Sequence, residues 1–226
     1  MSKFNDLPDS ISILERAVND GPSPVFSTSL SAEDQAITHL IYIYKLPIEI
    51  FVLDTGRLHN ETLNLLAHTE AHFNKKIKVY CPDSADVENY VKINGINGFY
   101  KSVSQRIECC EIRKVKVVRR ALKDKSAWIT GIRSEHSLKR SKNTFMEWDN
   151  KLNLMKYHPL LNWSGDFLWR FILKNGIPTN PLHKKGFSSI GCAPCTRAVK
   201  PGEDERSGRW WWERSLINKE CGLHED

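Results

Sequence analysis

The chain has 226 residues, 40% hydrophobic and 27% charged, proportions of a soluble globular protein large enough for one well-packed domain with a short appendage. Its most apolar stretch, His39 to Leu53, is broken by Lys45, Pro47 and Glu49, so no segment is expected to span a bilayer. The net charge of +6 is uneven: 13 Lys and Arg face 4 Asp and Glu between Lys101 and Lys142, which predicts a negative group near that stretch.

The opening MSKFNDLPDSISILE lacks the apolar core of a signal peptide, so a cytoplasmic, reducing location is expected. There the six cysteines would serve as thiols, metal ligands or catalysts rather than structural disulfides.

Pro24 to Leu30 reads as a strand and Ala32 to Tyr44 carries helical spacing through Ile37, Leu40, Ile41 and Tyr44. Ile48 to Leu53 is a β-branched strand, Asn60 to Phe73 a helix and Ile77 to Tyr80 a strand. This alternation predicts an α/β fold, an open, mostly parallel twisted sheet flanked by helices. Ligands of such sheets bind beyond the carboxyl ends of the strands. Asp86 to Ile93 reads as helix and Glu108 to Leu122 as a strongly basic helix. Ala127 to Ile132 is a buried strand, Ser134 to Asn150 a polar loop or lid, Lys151 to Tyr157 an edge strand and Asp166 to Lys174 a helix. Beyond Pro178 the density of Gly, Pro and charge predicts little regular structure.

Two loops stand where the topology expects a nucleotide. After the first strand, Ser27 to Asp34 puts hydroxyls and free amides at a helix start, suited to phosphate or sulfate, with Ser27 and Ser29 as candidate contacts. The same pattern is what an N-cap with Glu33 and Asp34 in the first turn would give. After the second strand, Asp54-Thr55-Gly56-Arg57 offers a ribose acceptor, a close backbone approach and an anion partner.

Cys109-Cys110 and Cys192-Ala193-Pro194-Cys195 make four thiols, a set for zinc or an iron–sulfur cluster. Adjacent cysteines converge poorly on one small ion, so the spacing leans toward a 4Fe–4S cluster. Cys109 with Arg113, and Cys110 with Lys114, stand four apart and share helix faces, supplying cations to thiolates. Cys221, in Lys219-Glu220-Cys221-Gly222-Leu223-His224, has neighbours that favour a thiolate nucleophile. Upstream lie Arg206, Arg209 and Trp210-Trp211-Trp212. Cys81 reads as a core or strand-end thiol.

The segments STSLSAEDQ, LDTGRLH, CCEIRKVKVVRRAL, AWITGIRSEHS, NPLHKKGFSSIGCAPCTR, GEDERSGRWWWE and KECGLH together resemble the assimilatory adenylyl-sulfate reductases of the adenylyl-sulfate/phosphoadenylyl-sulfate reductase family. The resemblance covers nearly the whole chain. It implies an adenine nucleotide alpha hydrolase-like fold with a nucleotide- and cluster-binding domain over residues 1–200 and a segment, 201–226, that carries the catalytic cysteine. It implies Cys109, Cys110, Cys192 and Cys195 as ligands of a 4Fe–4S cluster, Lys114 beside it, and Cys221 as nucleophile. Arg133, Arg206 and Arg209 become phosphosulfate contacts and His224 a closing contact of the tail. The implied reaction is thioredoxin- or glutaredoxin-dependent reduction of adenylyl sulfate to sulfite and AMP in sulfate assimilation, through an S-sulfocysteine on Cys221. Ser31 stands where many relatives have Gly, which predicts a less permissive loop. The 3′-phosphorylated nucleotide, alone or alongside adenylyl sulfate, is the alternative substrate. A zinc-bearing nucleic-acid-binding module is a third reading, disfavoured because no recognition helix or aromatic-interleaved strand is present. No nucleic-acid or membrane partner is therefore expected, and homo-oligomerisation is left open.

Overall fold

The computed structural model describes residues 6–136 and 142–213. They fall into two compact units. The sheet unit contains Met1–Val52, Asn60–Lys78 and Asp124–Pro181, and the cysteine unit contains Leu53–His59, Val79–Lys123 and Leu182–Asp226.

The strands are β1 (Pro24–Thr28), β2 (Glu49–Leu53), β3 (Lys78–Tyr80), β4 (Ala127–Ile129), β5 (Met146–Asp149) and β6 (Leu154–Tyr157). They form one six-stranded sheet in the order β3-β2-β1-β4-β6-β5. β1 is parallel to β2 and β4, and β4 to β6, with Phe26 in register with Ile50 and Ile129. Pro24 opens β1, where a missing N–H is tolerated. Strand order runs outward from β1 through β2 and then resumes at β4 on the other side of β1. The loops after β1 and β4 therefore flank a topological switch point.

Helices α2 (Ala32–Ile43) and α7 (Gly165–Asn175) pack together in this unit. The core unites Phe26, Ile37, Leu40, Ile129, Tyr157 and Leu168, which are almost wholly buried. At about 25 cal/mol per Å² of apolar surface, each such side chain contributes roughly 1.5–3 kcal/mol. α3 (Asn60–Phe73) matches its expected bounds.

The expectations fail in three places. Helix α1 (Asp6–Asn19) was not anticipated; it buries Leu14 and Ala17, and Ser10 accepts a 2.8 Å hydrogen bond from the Trp163 indole. Its signal, Leu14, Ala17 and Val18 at i, i+3 and i+4, was readable. The expected loop over Ser134 to Asn150 contains β5, which pairs antiparallel with β6 and is the sheet's edge. β6 is consequently an inner strand. Charged Glu147 and Asp149 mask β5 as loop, but Asp149 is buried against Lys156 at 2.7 Å and Glu147 receives His158 at 3.0 Å. Strand β4 also stops at Ile129, three residues short.

In the cysteine unit, α4 (Ser84–Asn94) is capped by Asp83, whose carboxylate accepts from the amides of Ala85 and Asp86. The basic helix begins earlier than expected, as α5 (Val103–Cys110). A single π-helical turn, Glu111–Val115, joins it to α6 (Lys116–Leu122). Past Pro178 the described residues form short 3₁₀ turns, Pro181–Lys185 and Ala193–Cys195, and one bridge between Thr196 and Arg209. Among the described residues no helix is long and apolar enough to cross a membrane.

Candidate functional site

In the sheet unit, the loop after β1 is tied to the start of α2. Leu30 takes φ +60°, and its amide donates to Thr28 Oγ1 at 3.0 Å. Ser31 is the N-cap, its hydroxyl accepting from the Asp34 amide at 3.3 Å. Ser29 donates both its amide and its hydroxyl to Asp34 Oδ2, at 2.5 and 2.6 Å. Ser27 Oγ accepts from the Trp128 indole at 2.7 Å. Burial pushes the Asp34 carboxyl up to about 6, against the pull of the Ser29 donors. Gly131, after β4, leaves room for that carboxylate; a Cβ there would run into Asp34 and Glu33.

Arg133 is buried in the same unit and its charge is already balanced. Its Nε meets Glu33 Oε1 at 3.0 Å, and its Nη1 meets Glu135 Oε2 at 2.9 Å and the Trp163 carbonyl at 3.1 Å. Sequence reasoning assigned Glu33 and Asp34 only to the helix dipole. The structure gives Glu33 to Arg133 and Asp34 to Ser29.

In the cysteine unit, Cys109, Cys110, Cys192 and Cys195 line one pocket together with Arg57, Arg106, Arg113 and Lys114. The C-x-x-C half is a 3₁₀ turn closed by Cys195 N donating to Cys192 O at 2.9 Å. Burial raises the Cys109 thiol despite Arg113, which hydrogen-bonds it. Burial, with Cys192 and Cys110 nearby, pushes Cys195 up to about 12. Burial acts the same way on Cys192, but Lys114, the Thr55 hydroxyl, Arg209 and Arg113 outweigh it and lower that thiol. The expected pairing of Cys109 with Arg113 is present, and Arg106, one turn before Cys110, is hydrogen-bonded to Cys110.

The loop expected to meet the nucleotide braces this pocket. Thr55 Oγ1 lies 3.3 Å from Cys192 Sγ, and the Arg57 carbonyl accepts from the Ala193 amide at 2.7 Å. Arg113 Nη1 donates to the Thr55 carbonyl at 2.6 Å. Gly56, at φ +67°, admits Arg113 close beside it, and Asp54 Oδ1 accepts from its amide at 2.9 Å. The Arg57 guanidinium hydrogen-bonds Ile96 O and lies over Phe99 at 5.5 Å. The contact of Thr55 with Cys192 and the place of Arg57 in the pocket wall had no sequence signal, since each is distant in sequence from the thiols.

Arg209 is buried, stacked on Trp210 at 4.8 Å, with its Nε unpartnered among the described residues. Arg206 is half-buried, its amide donating to Asp204. Cys81 stands at the end of β3 and is exposed rather than in the core. Cys221 and His224 lie outside the described residues.

The family model for the phosphoadenosine phosphosulfate reductase domain matches residues 23–198. The chain is 47% identical over 215 residues to adenosine 5′-phosphosulfate reductase of Allochromatium vinosum, covering 95% of this chain and 84% of the relative. It is 50% identical over 200 residues to adenosine 5′-phosphosulfate reductase of Rhizobium meliloti, covering 88% and 75%. The solved phosphoadenylyl-sulfate reductase of Candida auris superposes with a TM-score of 0.71 at 23% identity, covering 84% of this chain and 90% of that one. That last likeness concerns the fold.

Proposed function

The chain belongs to the phosphoadenosine phosphosulfate reductase domain family, and from that premise we propose that it reduces adenosine 5′-phosphosulfate to sulfite and AMP. Relatives at 47–50% identity carry the name of that activity. The observation that carries the reading is the pocket of four thiols among cations. Among the described residues neither buried Arg113 nor buried Arg209 is ion-paired to a carboxylate; their donors go to backbone carbonyls, a serine hydroxyl and a thiol. Buried cations without carboxylates call for anionic partners.

In this reading Cys109, Cys110, Cys192 and Cys195 hold a 4Fe–4S cluster. The donor set fits: four thiols share one pocket with Arg57, Arg106, Arg113 and Lys114, and adjacent cysteines such as Cys109 and Cys110 suit a larger inorganic core better than one small ion. When bound, the cluster supplies electrostatics and structural cohesion rather than an obligatory path for electrons. Thr55, Arg113 and Lys114 place donors and positive charge against the thiolates.

The chemistry falls to Cys221. Its thiolate attacks the sulfur of adenosine 5′-phosphosulfate, the S–O bond breaks, and AMP departs with the bonding pair. The enzyme is left as S-sulfocysteine. A thiolate of thioredoxin or glutaredoxin then attacks Cys221 Sγ, sulfite leaves, and the reductant's second thiol resolves the mixed disulfide, supplying two electrons in all. Arg209 has an unpartnered Nε for a phosphosulfate oxygen, and Arg206 is its companion. Arg133, already held by two carboxylates, acts through the loops it orders. The β1 loop, with Ser27 and Ser29, stands at the switch point where such sheets take nucleotides, and Asp54 supplies an acceptor for ribose.

Replacing Cys221 with Ser is expected to leave a brown, iron-loaded protein that releases no sulfite and forms no sulfonated adduct by mass spectrometry. Sulfite release by that variant would refute the mechanism. Steady-state rates with the 5′-phosphosulfate and its 3′-phosphorylated form are expected to favour the former, and the opposite ratio would replace the substrate assignment.

A further inference from the structure

Ser27 and Ser29 flank buried Thr28 at the carboxyl end of β1, Ser27 half-buried and Ser29 exposed. A hydroxyl has one proton to donate and lone pairs to accept with, and in both residues the protein has already committed one side of that exchange. Ser29 gives its proton to Asp34 Oδ2 at 2.6 Å, and its amide donates to the same oxygen at 2.5 Å. What Ser29 offers a ligand is therefore an acceptor. Ser27 is the reverse. Its Oγ accepts from the Trp128 indole at 2.7 Å, and its own proton has no acceptor among the described residues. What Ser27 offers is a donor.

Both commitments are held by buried groups. Asp34 is 5% exposed and lies against Gly131, where a carboxylate stripped of the Ser29 donors would be left desolvated without compensation. Trp128 is 1% exposed, and an indole N–H can only donate. Its ring is faced by Lys156 Nζ at 5.4 Å, which Asp149 holds at 2.7 Å. The amides of Ser29, Leu30 and Asp34, which could otherwise cradle an anion, are likewise engaged inside the loop.

A phosphosulfate presents only acceptor oxygens, which would meet the lone pairs of Ser29. The base is different: adenine carries its 6-amino donor beside a ring-nitrogen acceptor, whereas a 6-oxo purine carries an acceptor in the amino group's place. We propose that Ser27 and Ser29 are specificity-determining residues that read the adenine edge of the nucleotide, Ser29 accepting from the 6-amino group and Ser27 donating to the ring nitrogen beside it, N7 or N1. The proposal rests on the chain's taking adenosine 5′-phosphosulfate. It changes the part these serines play, from seating the phosphosulfate to selecting the base. Asp34 and Trp128 become positioning residues that act through the hydroxyls they orient.

The test measures Kd by calorimetry on the iron-loaded enzyme at about pH 8, where an Asp34 carboxyl held up to about 6 is ionised. The probes are AMP, IMP with a carbonyl oxygen in place of the amino group, the 7-deaza and 1-deaza forms of AMP, and adenosine. Wild type is expected to bind AMP about fivefold or more tighter than IMP. A smaller ratio overturns the proposal, and that measurement needs no variant to fold. Ser29→Ala is expected to narrow the ratio by about threefold or more through weaker AMP binding; a smaller change overturns the proposal as well. Ser27→Ala is expected to remove the penalty of one deaza form, and survival of both penalties overturns the role of Ser27. A loss in Ser29→Ala that falls on AMP but spares adenosine makes the serine a phosphate seat and also overturns the proposal. Wild-type enzyme that binds none of the adenine compounds would overturn the functional reading and this proposal with it, whereas AMP bound without regard to its base overturns this proposal alone.

Discussion

In the sheet unit Arg133 is gripped by Glu33 and Glu135, and Lys156 lies 2.7 Å from Asp149. In the cysteine unit Arg113 and Arg209, equally buried, have no carboxylate partner among the described residues, and they act on thiols instead. Both units obey the same rule, that a charge taken from water needs a counter-charge or strong donors and acceptors. They differ in where the counter-charge comes from. The first unit carries its own and is electrostatically closed. The second pairs Arg106 with Glu213 at 2.9 Å but arranges Arg113 and Arg209 around sulfur, so the balance of those two depends on thiolates and on whatever those thiolates hold.

The broadest expected effect separates the units by that dependence. If the four thiols hold the proposed cluster, anaerobic chelation of its iron should raise amide hydrogen exchange in the stretches 55–59, 103–115 and 191–196 by about tenfold or more, equivalent to ~1.4 kcal/mol of local stability. Exchange in β1 and β4 should change by less than about twofold, because their packing and ion pairs are internal to the sheet unit. Equal loosening of both sets would erase the distinction between a closed unit and a dependent one.

The sheet unit has one inversion of its own rule. Asp34 is a buried carboxyl that receives donors from Ser29 but, among the described residues, no cation. Burial raises its carboxyl from 3.8 to about 6. A raised acid binds its proton more tightly in the folded state, so stability is full below the unfolded value and is lost as pH climbs toward the folded one. Between pH 4 and pH 7 the wild type should therefore lose roughly 2 kcal/mol relative to Asp34→Asn, which has no proton to release there. Urea unfolding of the two proteins at both pH values checks this. A difference that stays flat, or grows in the wild type's favour, would mean that the Ser29 donors outweigh burial.

How much of this was legible follows from where each interaction closes. β1, α2, β2 and α3 repeat within short windows, so apolar periodicity located their ends to within two residues. The thiols and their i, i+4 cation were readable for the same reason. Edge strand β5 was not, because Glu147 and Asp149 look solvated until Lys156 and His158 stand opposite. Nor was the bracing of Cys192 by Thr55, a contact across 137 residues. The resemblance of motifs identified Arg133 as a site residue, yet only the fold shows its charge consumed by Glu33 and Glu135. Long-range pairing of polar groups leaves no mark in local periodicity.

The smallest expected effect concerns Ser31, where the sequence predicts a less permissive loop. The backbone places the unusual conformation one residue earlier: Leu30 takes φ +60°, while Ser31 sits at φ −67°, ψ 168°, an ordinary extended N-cap. A side chain at position 31 therefore strains nothing, and its hydroxyl satisfies the Asp34 amide at 3.3 Å. Ser31→Gly should cost only a few tenths of a kcal/mol, whereas Ser31→Ala, which removes the acceptor without adding freedom, should cost about 1 kcal/mol. Thermal unfolding ranks the two variants. If Gly proved the more damaging, the cap would matter through chain stiffness rather than through its oxygen, and the β1 loop would owe its order to something other than the Ser29, Ser31 and Asp34 bonds. Because these bonds lie wholly inside the closed unit, neither variant should alter iron content, which ties even this small effect to the division between the two units.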